Sequence, residues 1–318
     1  MTLPLDTLLN PEQAAASRHL DGPLLIIAGA GSGKTRMLTY RIAHMLASGI
    51  DESAILALTF TNKAAGEMRS RIEDVLGRRI RGLTATTFHA FGLSILRRHG
   101  TLLGYRPNLT IYDQQDASSL LTATLREMGI DYTELDLYGL AQSVSQIKRT
   151  GSGPASGALN YGAVTAEYND HLMLYNACDF DDLIMQPLRL FTDFPDVLEY
   201  YRNRYRHILV DEFQDTSMQQ YEIIRKLAAG HRNICVVGDD DQSIYSWRGA
   251  DYRNITKFEQ DFPDCLEIRL EQNYRSTGTI LTAANTLIRN NRQRKDKQLW
   301  TGNEKQTGTI ALHYPEDE

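Results

Sequence analysis

Eight consecutive residues, Ala28-Gly29-Ala30-Gly31-Ser32-Gly33-Lys34-Thr35, join small side chains to a closing lysine and hydroxyl. Small residues let backbone N–H groups close around a phosphate. The lysine then answers the β/γ-phosphate charge, and the threonine hydroxyl is suited to Mg²⁺. Residues 28–35 are therefore a candidate cradle for ATP and Mg²⁺, although the strict pattern has glycine where this chain has Ala28. The competing reading, a chance glycine-rich turn, is weakened by an apolar run before it and a helical pattern after it. Far along the chain, Ile208-Leu209-Val210-Asp211-Glu212 runs from apolar residues into two carboxylates. Asp211 at such a strand tip can share Mg²⁺ with Thr35, and Glu212 can polarise an attacking water. Acidic strand ends are common, so this pair gains weight only beside Lys34 and Thr35. Together they point to ATP hydrolysis.

The elements that must hold these residues follow from hydrophobic periodicity. Residues 23–28 read as a strand, the glycine-rich turn follows, and residues 35–46 carry helical spacing. A second strand is expected at 54–60, a helix at 62–76 and a third short strand at 83–87. Apolar runs at 207–211, 233–238 and 266–270 complete the strand candidates. Buried strands alternating with helices imply an α/β fold with a doubly wound parallel sheet. In such sheets ligands sit at the carboxyl ends of the strands, where the motif residues fall. The stretch 88–206 breaks the rhythm and reads as a mostly helical insertion, interrupted by the flexible composition of 150–157. After it come one more helix, at about 277–291, and a strand start at 309–313. There the chain stops in mid-architecture, which leads us to expect a second lobe cut short.

Composition is that of an ordinary globular protein, with 42 % hydrophobic and 23 % charged residues. Neither a membrane span nor a signal peptide is read from the sequence. Cys178, Cys235 and Cys265 have no metal or redox spacing and fit a reducing cytoplasm. The net charge of −6 counts against non-specific attraction to nucleic acid, so DNA binding must rest on local groups. Two basic clusters, Arg69/Arg71/Arg78/Arg79/Arg81 and Arg289/Arg292/Arg294/Lys295/Lys297, read equally as phosphate tracks or solvated helix faces. Asp179, Asp181 and Asp182 look at first like a metal cluster. Their spacing at a helix start suits N-capping and dipole compensation better.

Further motifs occur in order. Leu9-Asn10-Pro11-Glu12-Gln13 precedes the cradle, and residues 58–65 (LTFTNKAA) and 86–91 (TTFHAF) follow it. Residues 236–250 (VVGDDDQSIYSWRGA) and 270–277 (LEQNYRST) come later. With the cradle and the Asp211-Glu212 strand, this series resembles the superfamily 1 DNA helicases of the UvrD/Rep/PcrA group. Residues 239–242 (DDDQ) and Ser246 lean toward the Rep branch. The group accepts alanine at the position of Ala28.

The resemblance implies roles for named residues. Gln13 would read adenine, which Tyr274 and Arg36 would sandwich by stacking and cation–π attraction. Lys34, Asp211, Glu212, Gln242 and Arg275 would be catalytic, Gln242 sensing the γ-phosphate and Arg275 acting as an arginine finger. Single-stranded DNA would meet aromatic platforms at Phe60, Tyr245 and Trp247. Thr61, Asn62, Thr87, His89 and Arg248 would contact its backbone, although His89 reads equally as a structural histidine. Phe88 and Phe91 read as core. The implied organisation is a RecA-like lobe from 1–87 and 207–273, the insertion 88–206, and the start of a second RecA-like lobe at 274–318. The implied activity is ATP-driven movement on single-stranded DNA in the 3′ to 5′ sense, with single/double-strand junctions and replication or repair proteins as partners. Other readings stay open: a nucleotide-controlled DNA-binding piece without unwinding, the helicase part of a recombination helicase–nuclease, and, remotely, a small-molecule kinase.

Overall fold

The computed structural model describes residues 3–153, 159–243, 253–291 and 294–303. The expected DNA contacts Tyr245, Trp247 and Arg248, and the strand expected at 309–313, lie outside the described residues. In chain order the described strands are β1 (Leu24–Ala28), β2 (Ile55–Thr59), β3 (Thr84–Thr87), β4 (Thr110–Ile111), β5 (Ala177–Cys178), β6 (His207–Val210), β7 (Ile234–Gly238) and β8 (Leu266–Leu270). The chain divides into two compact units. The first comprises Met1–Thr86, Arg204–Met218 and Ala228–Glu318, the second Thr87–Asn203 and Gln219–Leu227.

The first unit is built on a six-stranded sheet in the order β3-β2-β6-β7-β1-β8. β1 runs parallel to both β7 and β8, and β6 runs parallel to both β2 and β7. Every residue of β1, β2 and β7 is buried, which explains why each is a continuous apolar run and not an alternating one. One side of the sheet packs Leu24, Ile26, Ile55, Ala57 and Val237 against Met37, Leu38 and Ile42 of the helix Lys34–Ala47 and Met68 and Ile72 of the helix Asn62–Leu76. Thr61 caps the second of these helices by accepting from Ala64 N (3.1 Å), and Gly77 in the left-handed region ends it. Arg41 is unexpectedly buried. Its guanidinium donates to Ala16 O (2.7 Å) and His19 O, satisfying carbonyls at the end of the helix Pro11–Arg18.

The second unit is mostly helical, with main helices Phe88–His99, Gln114–Glu127, Leu137–Thr150, Tyr161–Leu174 and Asp182–Asp193. It also holds a two-stranded parallel sheet, β4 with β5, which sequence periodicity does not reveal because two-residue strands leave no periodic trace. Phe88 and Phe91 are buried, as expected of core residues. At Gly92 a Cβ would stand 1.8 Å from Leu183 O, so only glycine lets the helices Phe88–His99 and Asp182–Asp193 approach this closely. Of the acidic residues at 179–182, Asp179 and Asp182 are bonded to one another and to a lysine, an arrangement that goes beyond the expected capping. Asp179 accepts from Asp182 N (3.0 Å) and Asp182 from Asp179 N (3.2 Å). The buried Lys148 ammonium lies 2.6 Å from Asp179 and 2.9 Å from Asp182.

Candidate nucleotide site

Five strands of the large sheet deliver the motifs at their carboxyl ends. The phosphate loop follows β1, Phe60-Thr61-Asn62 follows β2, Asp211-Glu212 follows β6, Asp239 to Gln242 follows β7, and Glu271 to Arg275 follows β8. Parallel order makes this convergence a necessity, because every strand ends on the same edge.

The loop geometry explains which glycines matter. Gly31 and Gly33 have φ of 69° and 82°, in the left-handed region where a Cβ is penalised. Ala28 is the last residue of β1, extended and buried, so that position does not require glycine. Gly33 also starts the helix Lys34–Ala47 without a side-chain cap or an acidic first turn, leaving its N-terminal N–H groups to an anion. The Ser32 hydroxyl is buried and unpartnered among the described residues.

Across the loop, Lys34 Nζ lies 2.9 Å from Glu212 Oε2. Glu212 itself adopts φ 50° and ψ 47°, a left-handed conformation that costs a non-glycine residue about 1–3 kcal/mol and is typical of functional sites. Burial opposes its charge, but Lys34 and Gln214 outweigh burial and hold the Glu212 pKa below the usual value. Asp211 has weaker support, from the Lys34 charge and from Glu212 N, which donates to its Oδ1 (3.0 Å). Burial, then the neighbouring Glu212 charge, push it up to about 6, with Lys34 only partly offsetting them. Asp215 is raised to about 6 by the same two causes, and its Oδ1 is buried without a partner among the described residues. An acidic group crowded this way suits a divalent cation that would relieve the repulsion.

Gln214 carries no signal of its own in the sequence, yet it ties two motifs together. Its amide donates to Glu212 Oε2 (2.9 Å) and accepts from Asp239 N (2.9 Å). Gln242 in turn donates to Asp239 Oδ2. Asn273 is likewise silent in the sequence. It donates to Ala30 O (2.6 Å) and accepts from Arg275 N (2.8 Å) and Ser276 N (2.7 Å), fastening the β8 motif to the phosphate loop. Only its place inside a motif could have drawn attention to either residue.

The remaining expected ligands fall as follows. The Gln13 amide donates to Ser32 O (2.8 Å), so its first contact is with the loop itself. Arg36 is exposed and donates to Leu8 O (2.7 Å). Tyr274 is half exposed and its hydroxyl donates to Gln272 (2.9 Å). Arg275 is exposed, and its Cβ is so near the loop that a Cβ on Gly31 would stand 2.8 Å from it. Phe60, Thr61 and Asn62 are exposed. In the other unit, Thr87 caps the helix Phe88–His99 through Ala90 N (3.2 Å). There His89 packs edge-on against Phe180, at 5.8 Å, and burial lowers its pKa, which favours the neutral ring.

Three residues of the first basic cluster have partners within the chain. Arg69 donates to Leu83 O (2.8 Å), Arg71 pairs with Glu67 (3.3 Å) and Arg78 pairs with Glu52. In the second cluster, Arg294, Lys295 and Lys297 turn toward carboxylates.

Fold and site together define a RecA-like phosphate-loop lobe with a helical inserted unit. The family model of the UvrD/REP helicase N-terminal domain matches residues 9–263, and the chain belongs to this family. It is 45 % identical over 317 residues to the ATP-dependent DNA helicase PcrA of Staphylococcus aureus (strain Mu50), covering 97 % of this chain and 43 % of that protein. The PcrA of Bacillus subtilis (strain 168) is 45 % identical over 305 residues, covering 93 % and 41 %. The chain thus spans less than half the length of these curated relatives. No helix among the described residues is long and apolar enough to cross a membrane.

Proposed function

We propose that the chain is the ATP-binding part of a DNA helicase motor that moves 3′ to 5′ on single-stranded DNA. The relatives carry the name ATP-dependent DNA helicase, and the geometry supports the same chemistry here. The observation that carries the proposal is the hydrogen-bonded path from Lys34 through Glu212 and Gln214 to Asp239 and Gln242. It links the residue facing the phosphates to the segment that leads into 244–250, where the DNA-facing aromatics lie in sequence.

On this reading residues 29–35 wrap the phosphates with backbone N–H groups, and Lys34 carries the charge that answers them. Thr35 and Asp211 would hold Mg²⁺, which would supply positive charge to the phosphates. Glu212 is the general base. Its lowered pKa keeps it ionised near neutrality, ready to accept a proton from the attacking water. Gln242 senses the γ-phosphate, and Arg275 places positive charge on the group being transferred. Gln13, Tyr274 and Arg36 hold the adenine. Phe60 and Trp247, with Tyr245, offer stacking faces to single-stranded DNA and its junctions with duplex. Thr61, Asn62, Thr87, His89 and Arg248 serve its phosphates. Residues 1–87 and 207–273 form the motor lobe, 88–206 the insertion, and 274 onward opens a second lobe. The protein works in the cytoplasm with replication or repair proteins.

Binding of a fluorescent ATP analogue tests the nucleotide site. Lys34→Ala is expected to abolish tight binding, since the loop then has no cation for the phosphates. Unchanged affinity would refute the assignment.

A further inference from the structure

The three carboxylates of Asp239, Asp240 and Asp241 lie within 4.8 Å of one another, an arrangement that resembles a cation site. The cation is already supplied by the chain. Lys297 Nζ stands 2.9 Å from Asp239 Oδ1 and 2.8 Å from Asp241 Oδ2, and it also pairs with Asp240. Its side chain is 3 % exposed, far below what a lysine on a solvated face would show. Arg294 adds a second contact to Asp241 (2.9 Å) and donates to Lys297 O (3.1 Å).

The segment bearing Lys297 is itself anchored. Gln298 N donates to the Glu271 carboxylate (2.8 Å), Trp300 N to Glu271 O (3.0 Å), and Asn273 N to Trp300 O (2.7 Å). Between them, Leu299 packs on the phosphate loop so closely that a Cβ on Gly29 would stand 2.2 Å from its Cδ2. One short strap therefore touches the loop, the β8 motif and the acidic run.

We propose that Lys297 is a positioning residue that sets the γ-phosphate sensor Gln242 by clamping Asp239. Asp239 gives one carboxylate oxygen to Lys297 and the other to the Gln242 amide, and its N–H to Gln214. Gln214 continues to Glu212, which holds Lys34. The clamp is thus the far end of the same path that reaches the phosphates. Without the ammonium, Asp239 and Asp240 lose the cation that faces them both, Arg294 is left to answer Asp241, and the run must open. This inference rests on the role assigned to Gln242 under Proposed function.

The test compares affinities for a non-hydrolysable ATP analogue and for ADP, by displacement of a fluorescent nucleotide, alongside the melting temperature. Wild type should prefer the triphosphate. Lys297→Met should keep ADP affinity within about twofold and lose about tenfold of the triphosphate preference, the scale of one hydrogen bond to a charged group. Lys297→Met/Asp240→Asn removes one stranded carboxylate. It should recover melting temperature while its triphosphate preference stays below wild type. An unchanged preference in both variants overturns the clamp, as does a preference that returns fully with the melting temperature, which marks a merely structural role. A wild type without any triphosphate preference overturns the role of Gln242, and the clamp with it.

Discussion

The buried ion cluster in the helical unit gives a sharp prediction, because it separates a structural role for the acidic residues at 179–182 from a metal-binding one. Lys148→Met keeps the length and apolar stem of the side chain and removes its charge. It leaves Asp179 and Asp182 buried, hydrogen-bonded to each other's backbone, without the ammonium that now pairs with both. Breaking a buried pair in this way costs about 3–5 kcal/mol. At about 2–4 °C per kcal/mol for a domain of this size, the melting temperature should fall by about 6–20 °C at pH 8. The effect has a defined pH dependence. Burial and the Asp179 charge already push Asp182 up to about 6 in the wild type, with Lys148 restraining it. Removing Lys148 raises the folded-state carboxylate pKa values further, so the native variant binds more protons than the native wild type. The deficit should therefore shrink as pH falls from 8 toward 5. A charge-neutral variant, Lys148→Met/Asp179→Asn/Asp182→Asn, should recover most of the loss. The assay is thermal unfolding followed by circular dichroism, with and without Mg²⁺ and a chelator. A Lys148→Met deficit below about 1 kcal/mol would refute the buried-charge reasoning, and a chelator-sensitive wild type would return the carboxylates to metal binding.

Two further predictions concern the nucleotide site. Glu212→Gln should keep nucleotide affinity, because Lys34 and the loop are intact, and lose turnover by about 10²–10⁴-fold, the usual worth of a general base; full turnover would remove Glu212 from catalysis. Mg²⁺-dependent nucleotide affinity should weaken as pH falls through about 6, because Asp211 is raised to that value and must lose its proton to hold the cation. Asp211→Asn should weaken that affinity at pH 7 and reduce its dependence on pH, leaving what Asp215 and the nucleotide's own phosphate contribute. A wild-type affinity flat from pH 7 to 5 would show that Asp211 does not hold the metal.

What the sequence disclosed and what it hid have physical reasons. β1, β2 and β7 are buried on both faces, so they stand out as unbroken apolar runs. The helix Asn62–Leu76 is legible to its ends because Thr61 caps it and Gly77 stops it. The phosphate loop is legible because its glycines obey backbone constraints local to the loop. Contacts that close over long separations leave no such trace. Asn273 reaches Ala30 across 243 positions, and Lys297 reaches Asp240 across 57. A basic residue in a run of basic residues reads as a solvated face, and nothing nearby in sequence says that three aspartates await it. Arg41 hides for the same reason, since its carbonyl partners at Ala16 and His19 are set by how two helices pack. β4 and β5 are too short for any period to show.

The most direct test is steady-state ATP turnover by this chain with and without single-stranded DNA, using Lys34→Ala as the blank. Coupling between the nucleotide site and a DNA track predicts turnover that rises when DNA is added and disappears in Lys34→Ala. Turnover that ignores DNA, or that survives in Lys34→Ala, would contradict it.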